Sequence, residues 1–313
     1  MRRLSVLSSV VAVLAAPAPS PGQQVADPTF DAKVARPAYT ERHPRVLFDE
    51  AHHNFHTTVG RYKPFADLIA SDGYRVTPGR ARFTREVLRE ADVLVIANAL
   101  GAESIDDPDA SRPAFTEDEC QAVHDWVRAG GALLLVTDLP PMGSPAEGLG
   151  KRFGVDMSKG ITTDLANSEP RSASFLIFSR ENGLLGDHAI TRGRDASERV
   201  ETVTTFTGQS LTGPEGAFAF LRLADTASDE DPRTGTLVRA GGRAQGLAFR
   251  LGRGRVVVLG EAGQLSAQVT GPQRRPMGMN VPGVDNCRLA LNIMHWLSGL
   301  IEPGQAPRGP RGP

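Results

Sequence analysis

Residues 115–138, "FTEDECQAVHDWVRAGGALLLVTD", contain the pattern of a helix followed by a strand. Thr116 and Glu119 have the spacing of a capping box, in which each of the two side chains binds the backbone of the other residue. Apolar residues then repeat at helical spacing up to Val127, and two glycines end the helix. The run "ALLLV" is short and continuously apolar, which is typical of a strand buried on both faces. The stretch therefore predicts a helix beside a buried strand.

Strands and helices alternate in this way along much of the chain. The predicted elements are, in order, strand 45–51, helix 62–73, strand 74–78, helix 83–91 with Thr84 as N-cap, strand 92–100 and, after the quoted stretch, helix 144–154. Alternating strands and helices predict a mostly parallel sheet covered by helices on both faces. Between 155 and 230 only short strands are predicted. A β-hairpin then turns at "LGRGR" (251–255), and residues 286–301 predict a closing helix.

The charge balance of the chain limits the kinds of partner that it is expected to bind. The 313 residues include 35 Lys and Arg against 36 Asp and Glu, a formal net charge of -1, with 40% hydrophobic residues. Nucleic-acid binding requires a basic surface that neutralises phosphates, and the sequence contains no such excess. The composition predicts a globular protein without a nucleic-acid partner.

The first residues have the pattern of an export signal. Arg2 and Arg3 precede a short apolar segment at 4–16, and small residues at 16–18 offer a cleavage zone. We therefore expect a signal peptide at 1–23, a linker at 24–42, a single α/β domain at 43–301 and a Pro/Gly/Arg-rich tail at 302–313. The expected location is periplasmic or secreted. An uncleaved N-terminal anchor is the alternative and would be the protein's contact with a membrane.

Two cysteines are present, Cys120 and Cys287, and both lie in predicted helices. An exported protein can form a disulfide, but the sequence does not show whether these two residues approach each other. Two separate buried thiols are the alternative. Neither cysteine follows a strand at a tight turn, and there is no G-x-S-x-G elbow, so the sequence predicts no activated nucleophile.

Polar residues recur where the predicted strands end. In open α/β sheets, ligands bind in the crevice at the carboxyl ends of the strands. The candidate ligand-binding residues at these ends are Asp49, Glu50, His52, His53, Asn54, Asn98, Asp138, Glu261 and Gln264, with Thr137 and Gln268 beside them. The alternative is local, because polar residues also terminate strands and cap the helices that follow. Taken together, the set predicts a polar crevice.

Three of the seven histidines lie within residues 49–56, "DEAHHNFH". His52 and His56 would share one face of a helical turn, and with Asp49 they could bind a divalent metal. The spacing does not match the H-E-x-x-H motif of helical zinc sites. A hydrogen-bonded network that shapes the loop is the alternative. The sequence does not specify any other cofactor.

Several segments together resemble the class I glutamine amidotransferase-like superfamily, and more narrowly an extracytoplasmic branch related to domains of gliding-motility ABC transporter components. The segments are "VLFDEAHHNF", "ADVLVIANAL", residues 115–138, "LGKRFGV", "GRGRVVVLGEAG" and "LALNIMHWLSG", which cover most of 44–300. The resemblance implies a flavodoxin-like three-layer sandwich. Amidotransferases place a nucleophilic Cys after the strand that here ends in Asp138 and Leu139. Glutamine hydrolysis by that route is therefore not expected.

Two functions remain as hypotheses. The first is an exported, non-catalytic domain that binds a small polar ligand, such as a saccharide or a cell-envelope fragment, in the crevice. The alternative is a metal-dependent hydrolase in which the cluster from Asp49 to His56 holds the ion and Asp138 or Glu261 acts as general base. A scaffold that docks a protein partner is a third class, but no sequence feature specifies the partner.

Overall fold

The computed structural model describes residues 24–302, so the predicted signal peptide and nearly all of the predicted tail lie outside the described residues. The strands within this range are β1 (Val25–Ala26), β2 (Arg45–Asp49), β3 (Arg75–Gly79), β4 (Val93–Ala97), β5 (Ala132–Val136), β6 (Asp156–Met157), β7 (Ile161–Thr163), β8 (Ile177–Ser179), β9 (Thr202–Thr204), β10 (Leu211–Thr212), β11 (Phe218–Arg222), β12 (Ser228–Glu230), β13 (Leu237–Arg239), β14 (Ala244–Leu251), β15 (Gly254–Leu259), β16 (Ala267–Thr270) and β17 (Arg275–Gly278). The helices are α1 (Lys63–Ser71), α2 (Arg85–Leu88), α3 (Glu117–Arg128), α4 (Glu147–Arg152), α5 (Ala189–Arg192) and α6 (Asn286–Leu297).

Five strands form the parallel half of the central sheet, in the order β3-β2-β4-β5-β15. Successive side chains of a strand point to opposite faces. Val93 and Val95 therefore pack in one apolar core with α1 and α6, whereas Leu94 and Ile96 pack in another with α2, α3 and α4. Because both faces are covered, β4 and β5 are continuously apolar and fully buried, as their sequences predict.

The other half of the sheet is antiparallel, which corrects the prediction of a mostly parallel sheet. β14 pairs antiparallel with β15, with Leu251 opposite Gly254, and β10, β6 and β11 extend the sheet by further antiparallel pairings. Only two residues connect β14 to β15, and a parallel pair would need a crossover of a dozen or more residues. The result is a mixed central sheet with helices on both faces.

Three smaller sheets complete the structure: β1-β16-β17, β13-β12-β7 and β8-β9. Four of their eight strands, β7, β8, β9 and β12, come from the segment 155–230, in which the sequence predicts short strands. The end of β9 is tied to α6, because the buried Asn286 donates its amide hydrogens to the carbonyl oxygens of Thr204 at 2.8 Å and Gln264 at 3.1 Å. The β8-β9 sheet therefore lies against the same core as the closing helix.

Helix capping follows the sequence closely. Thr84 accepts a hydrogen bond from the backbone of Val87 at 3.3 Å, and Thr116 and Glu119 form the predicted capping box. Among residues 24–302 there is no helix with the length and apolar character that a membrane span requires.

The two cysteines are free and lie on opposite faces of the central sheet. Cys120 belongs to the core beneath α3, whereas Cys287 packs against the core beneath α6. The sheet between them excludes a disulfide within the chain. Burial raises the pKa of each thiol to about 11, so both thiols stay protonated at neutral pH.

Candidate functional site

His52 lies between two carboxylates immediately after β2. Its Nδ1 is 2.8 Å from Oδ1 of Asp49, and its Nε2 is 2.9 Å from Oε1 of Glu119 in α3. Burial acts to lower the pKa of His52, but the hydrogen bonds and charges of the two carboxylates outweigh burial and raise it above the ordinary value. The ring therefore favours the imidazolium form, which can donate to both carboxylates.

Glu119 and Asp49 are themselves saturated with hydrogen bonds. Glu119 accepts from Arg82 at 3.0 Å, from the backbone of Phe83 at 3.1 Å and from the backbone and hydroxyl of Thr116 at 3.0 Å. Burial acts to raise the pKa of Glu119, but these bonds and that with His52 lower it to about 2. Asp49 also accepts from Asn54 at 2.9 Å. This buried network joins β2, α3 and the β3–α2 loop.

The remaining members of the predicted cluster point elsewhere. His56 stacks on Tyr62, with ring centroids 4.4 Å apart, and burial lowers the pKa of His56 to about 3. His53 is exposed, and Glu50 accepts two hydrogen bonds from Thr58 that close the loop. His52 and His56 share no helical face, because the chain from 50 to 60 runs through bends and turns.

This geometry bears directly on the hypothesis of a metal site formed by Asp49, His52 and His56. Both ring nitrogens of His52 already face carboxylates, and His56 packs against an aromatic ring on another side of the loop. Within residues 24–302, no three His, Cys, Asp or Glu side chains are grouped so that they could hold a metal ion. The structure therefore does not bring the three proposed ligands together.

A second polar cluster forms where β4, β5 and β15 end side by side. Asp138 accepts from the backbone of Leu139 at 2.8 Å, from the backbone of Ala262 at 3.3 Å and from the amide of Asn98 at 3.4 Å. Asn98 has φ of 50°, a left-handed conformation that asparagine tolerates better than most residues. Three of the predicted ligand residues, Asn98, Asp138 and Glu261, thus converge at the strand ends.

Asp138 and Glu261 form a buried pair of acids. Glu261 accepts hydrogen bonds from the backbone of Gly263 and, at 2.8 Å, from that of Gln264. Burial raises the pKa of Asp138 to about 7, and burial together with the charge of Asp138 raises the pKa of Glu261 well above its ordinary value. At neutral pH the pair therefore keeps at least one proton, since two adjacent carboxylates cannot both ionise cheaply in a buried site.

Two further residues support this pair. The Tyr62 hydroxyl donates to the carbonyl oxygen of Ala262 at 2.7 Å. The fully buried Gln209 donates to the carbonyl oxygen of Asp138 at 2.9 Å and to Oγ1 of Thr137 at 3.1 Å. Neither residue follows a strand end in the sequence, so the strand-end criterion did not identify them.

Acceptor atoms without a donor remain beside the acid pair. Oδ1 of Asn98 and Oε1 of Gln264 are buried and have no hydrogen-bond partner among the residues that the structure describes. The amide nitrogen of Gln264 donates to the carbonyl oxygen of Glu261 at 3.0 Å. Buried polar atoms are rarely left unpaired in proteins, so these two oxygens mark a place where a donor group would be stabilised.

A cavity of about 400 Å³ lies close to the loops that follow β5 and β15, and neither Asp138 nor Glu261 is among its lining residues. It is lined by Gln24, Leu139, Arg171, Phe175, Phe206, Thr207, Thr270, Arg275, Pro276 and Met277. Leu139 follows Asp138 directly. A Cβ atom placed on Gly263 would lie 2.6 Å from Oε1 of Glu261, 3.0 Å from Met277 and 3.2 Å from Phe206. The cavity wall is thus in close contact with the backbone that holds Glu261, and its volume is that of a small-molecule site.

Asp138→Asn should weaken the pH dependence of folding. The folded pKa of Asp138, about 7, lies above the ordinary value of 3.8, so stability is lost as the pH rises between these values. The neutral amide removes this loss, and we expect a gain on the order of 1–3 kcal/mol in the free energy of unfolding at pH 8, relative to the change at pH 4. Urea unfolding of wild type and variant at both pH values measures the difference. The exposed Asp225→Asn is the control, and equal pH slopes for wild type and Asp138→Asn would contradict the expectation.

Comparison with known proteins indicates the fold of this chain but does not assign it to a family. No protein-family model and no curated protein matches this chain. Among solved structures, it is similar to the mmIFT52 N-terminal domain, with a TM-score of 0.59 and 16% identity over 81% of this chain and 97% of that one. A ThuA-like protein from Parabacteroides merdae is similar at a TM-score of 0.45 and 11% identity, over 85% of this chain and 93% of that one. Cytoplasmic protein STM1381 from Salmonella typhimurium is similar at a TM-score of 0.44 and 13% identity, over 81% of this chain and 99% of that one. At 16% identity, the similarity to the mmIFT52 N-terminal domain indicates a shared fold and nothing about function.

Proposed function

We propose that this chain is an exported, non-catalytic domain that binds a small polar ligand in the crevice at the carboxyl ends of its parallel strands. The observation that carries the proposal is the cavity lined by Leu139, which follows the parallel strand β5, since open α/β folds bind their ligands outside the carboxyl ends of such strands. The polar side chains of Gln24, Thr207 and Thr270 in the cavity lining favour a ligand with hydrogen-bonding groups, such as a saccharide hydroxyl or amide.

The proposal includes a flavodoxin-like, amidotransferase-like ancestry for the fold. The order of the parallel strands, β3-β2-β4-β5-β15, corresponds to the 2-1-3-4-5 order of flavodoxin-like sheets. The sequence resemblance to the class I amidotransferase-like superfamily agrees with this order. The antiparallel strands from β14 onward would then be additions to that core.

A binding role is favoured over glutamine hydrolysis because the crevice contains no thiol nucleophile. Asp138 and Leu139 stand where amidotransferases place the nucleophilic Cys. Cys120 and Cys287 lie within helices, and their raised pKa values keep them as unreactive thiols. The carboxyls of Asp138 and Glu261 are buried and held by backbone N–H groups, so they fix the loops beside the cavity.

Export remains part of the proposal and rests on residues 1–23. The basic start, the apolar segment and the small residues at 16–18 are the supporting observations. N-terminal sequencing of the mature protein, recovered from fractionated cells that express the full chain, tests this part. A mature protein that starts at Met1 in the cytoplasmic fraction would contradict it.

Thr270→Trp should abolish ligand binding without unfolding the protein. Thr270 is the last residue of β16 and lines the cavity. A tryptophan there would fill part of the cavity with its indole ring, and tryptophan is well tolerated in β-strands. The probes are monosaccharides, disaccharides and soluble peptidoglycan fragments in a thermal-shift assay. A ligand at about 100 times its Kd stabilises the folded state by about 2.7 kcal/mol, which corresponds to a rise in Tm of about 4 °C for a chain of this size.

The matched control is Thr212→Trp, which makes the same substitution at an exposed position on β10, away from the cavity. This variant should bind as wild type does. The proposal fails if no probe raises the Tm of wild type, or if Thr270→Trp and wild type respond equally to the same probe.

A further inference from the structure

The cavity at the strand ends has a one-sided charge. Its lining includes two arginines, Arg171 and Arg275, and no Asp or Glu. Arg171 pairs with Glu169 and lies over the ring of Phe175 at 5.9 Å. In contrast, the Arg275 side chain makes no ion pair and no hydrogen bond with any part of the chain that the structure describes. The cavity therefore presents at least one guanidinium group that lacks an anionic partner.

The two arginines are brought to one cavity by segments that are far apart in the sequence. Arg275 begins β17, whereas Arg171 and Phe175 come from the loop that follows β7. The rings of Phe175 and Phe206 meet edge to face at 5.4 Å, and Met277 adds further apolar surface. This arrangement offers cationic groups beside an apolar wall, which suits a compact molecule with an anionic group on a ring or other partly apolar body.

The backbone of the cavity wall supports a functional interpretation. Thr207 has φ of 73°, a left-handed conformation that is a genuine outlier for a β-branched residue. It is held there by Ser174, whose carbonyl oxygen accepts from the Thr207 backbone at 3.0 Å and whose hydroxyl lies 2.7 Å from Oγ1 of Thr207. Strained residues of this kind concentrate where a fold builds a binding site.

From these observations we infer that the ligand of this cavity carries a carboxylate, which binds to Arg275. The inference rests on the proposed binding function and adds the chemical class of the ligand. A guanidinium group binds a carboxylate through two parallel hydrogen bonds, a geometry that a neutral hydroxyl does not reproduce. An acidic sugar is a compact molecule that combines this group with a ring face for Phe175 and Phe206 and hydroxyls for Thr270.

The test uses two pairs of probes in which only the first member carries a carboxylate: glucuronate against glucose, and N-acetylmuramate, which bears a lactyl ether, against N-acetylglucosamine. Calorimetric titration of the mature chain should show that the acid of at least one pair binds about 10-fold to 100-fold more tightly than its neutral partner. Arg275→Gln should remove this preference. Arg274→Gln should retain it, because it removes the same charge one residue away, at a side chain outside the cavity lining.

The outcomes separate this inference from the proposed function. Equal binding of acid and neutral sugars by wild type would overturn the carboxylate inference and leave the binding function in place. A preference for acids that survives in Arg275→Gln would also overturn it. If neither sugar of either pair binds, both the inference and the proposed saccharide-binding function are overturned. Arg275→Lys keeps the charge without the two-pronged geometry and should restore only part of the preference.

Discussion

His52→Ala should lower the free energy of unfolding by about 3–5 kcal/mol, because it removes the partner of two buried charges. Asp49 and Glu119 lie on either side of the ring, and both are almost inaccessible to water. Without the imidazolium, their carboxylates remain buried with no charged group between them. The ring also packs against Phe83 and Phe115, with centroids 4.7 Å away in each case, so its removal leaves a void. Urea unfolding followed by fluorescence of the two tryptophans measures the loss.

The adjacent His53 provides the matched control. It is exposed and takes no part in the network, so His53→Ala should change the free energy of unfolding by less than about 1 kcal/mol. The contribution of His52 should also depend on pH. Because its folded pKa is raised above 6.5, its contribution is complete below that pH and declines as the pH rises through the raised value. Equal losses in His52→Ala and His53→Ala would contradict the structural role of the network.

The regular elements of the first half of the chain follow from local sequence signals. Thr84, Thr116 and Glu119 cap their helices through bonds that span three residues, so a short window of sequence contains the whole interaction. The continuous apolar runs of β4 and β5 likewise encode burial on both faces. Such signals were sufficient to place α1 to α4 and the first four strands of the parallel half.

The mixed character of the sheet was harder to predict, because it depends on which strands become neighbours. The turn at Gly252 predicts a hairpin locally, but nothing local shows that β14 also pairs with β10 and β11. Those strands are two to five residues long and lie in a segment without strong periodicity. Their pairing is decided by tertiary contacts, which a single sequence does not display.

The residues of the candidate site also divide into those that local sequence signals predict and those that depend on tertiary contacts. Strand-end positions identified Asn98, Asp138 and Glu261, because the carboxyl ends of parallel strands meet at one edge of the sheet. Glu119 was recognised only as a capping residue, although it also binds His52, 67 residues earlier in the sequence. The interpretation of His52 and His56 as a shared face assumed a helical turn, which the chain at 50–60 does not form.

Asp72→Ala should cost about 3–5 kcal/mol in the free energy of unfolding, since the aspartate links three parts of the structure. Asp72 follows α1 and is fully buried. One carboxylate oxygen lies 2.6 Å from Nε2 of His295 in α6, and the other accepts from the backbone of Ala38 at 2.8 Å. Alanine leaves both donors in a site that water does not reach, and a buried donor without an acceptor carries its full desolvation penalty.

Asp67→Ala is the matched control for this prediction, because Asp67 pairs with Lys63 on the exposed side of the same helix. Surface ion pairs of this kind contribute about 0–1 kcal/mol, so its removal should have little effect. Asp72→Asn keeps an acceptor oxygen and should fall between the two alanine variants. Guanidinium unfolding, followed by the fluorescence of Trp296 next to His295, compares the three. If Asp72→Ala were no more destabilising than Asp67→Ala, the link between α1, α6 and the segment around Ala38 would not hold the closing helix in place.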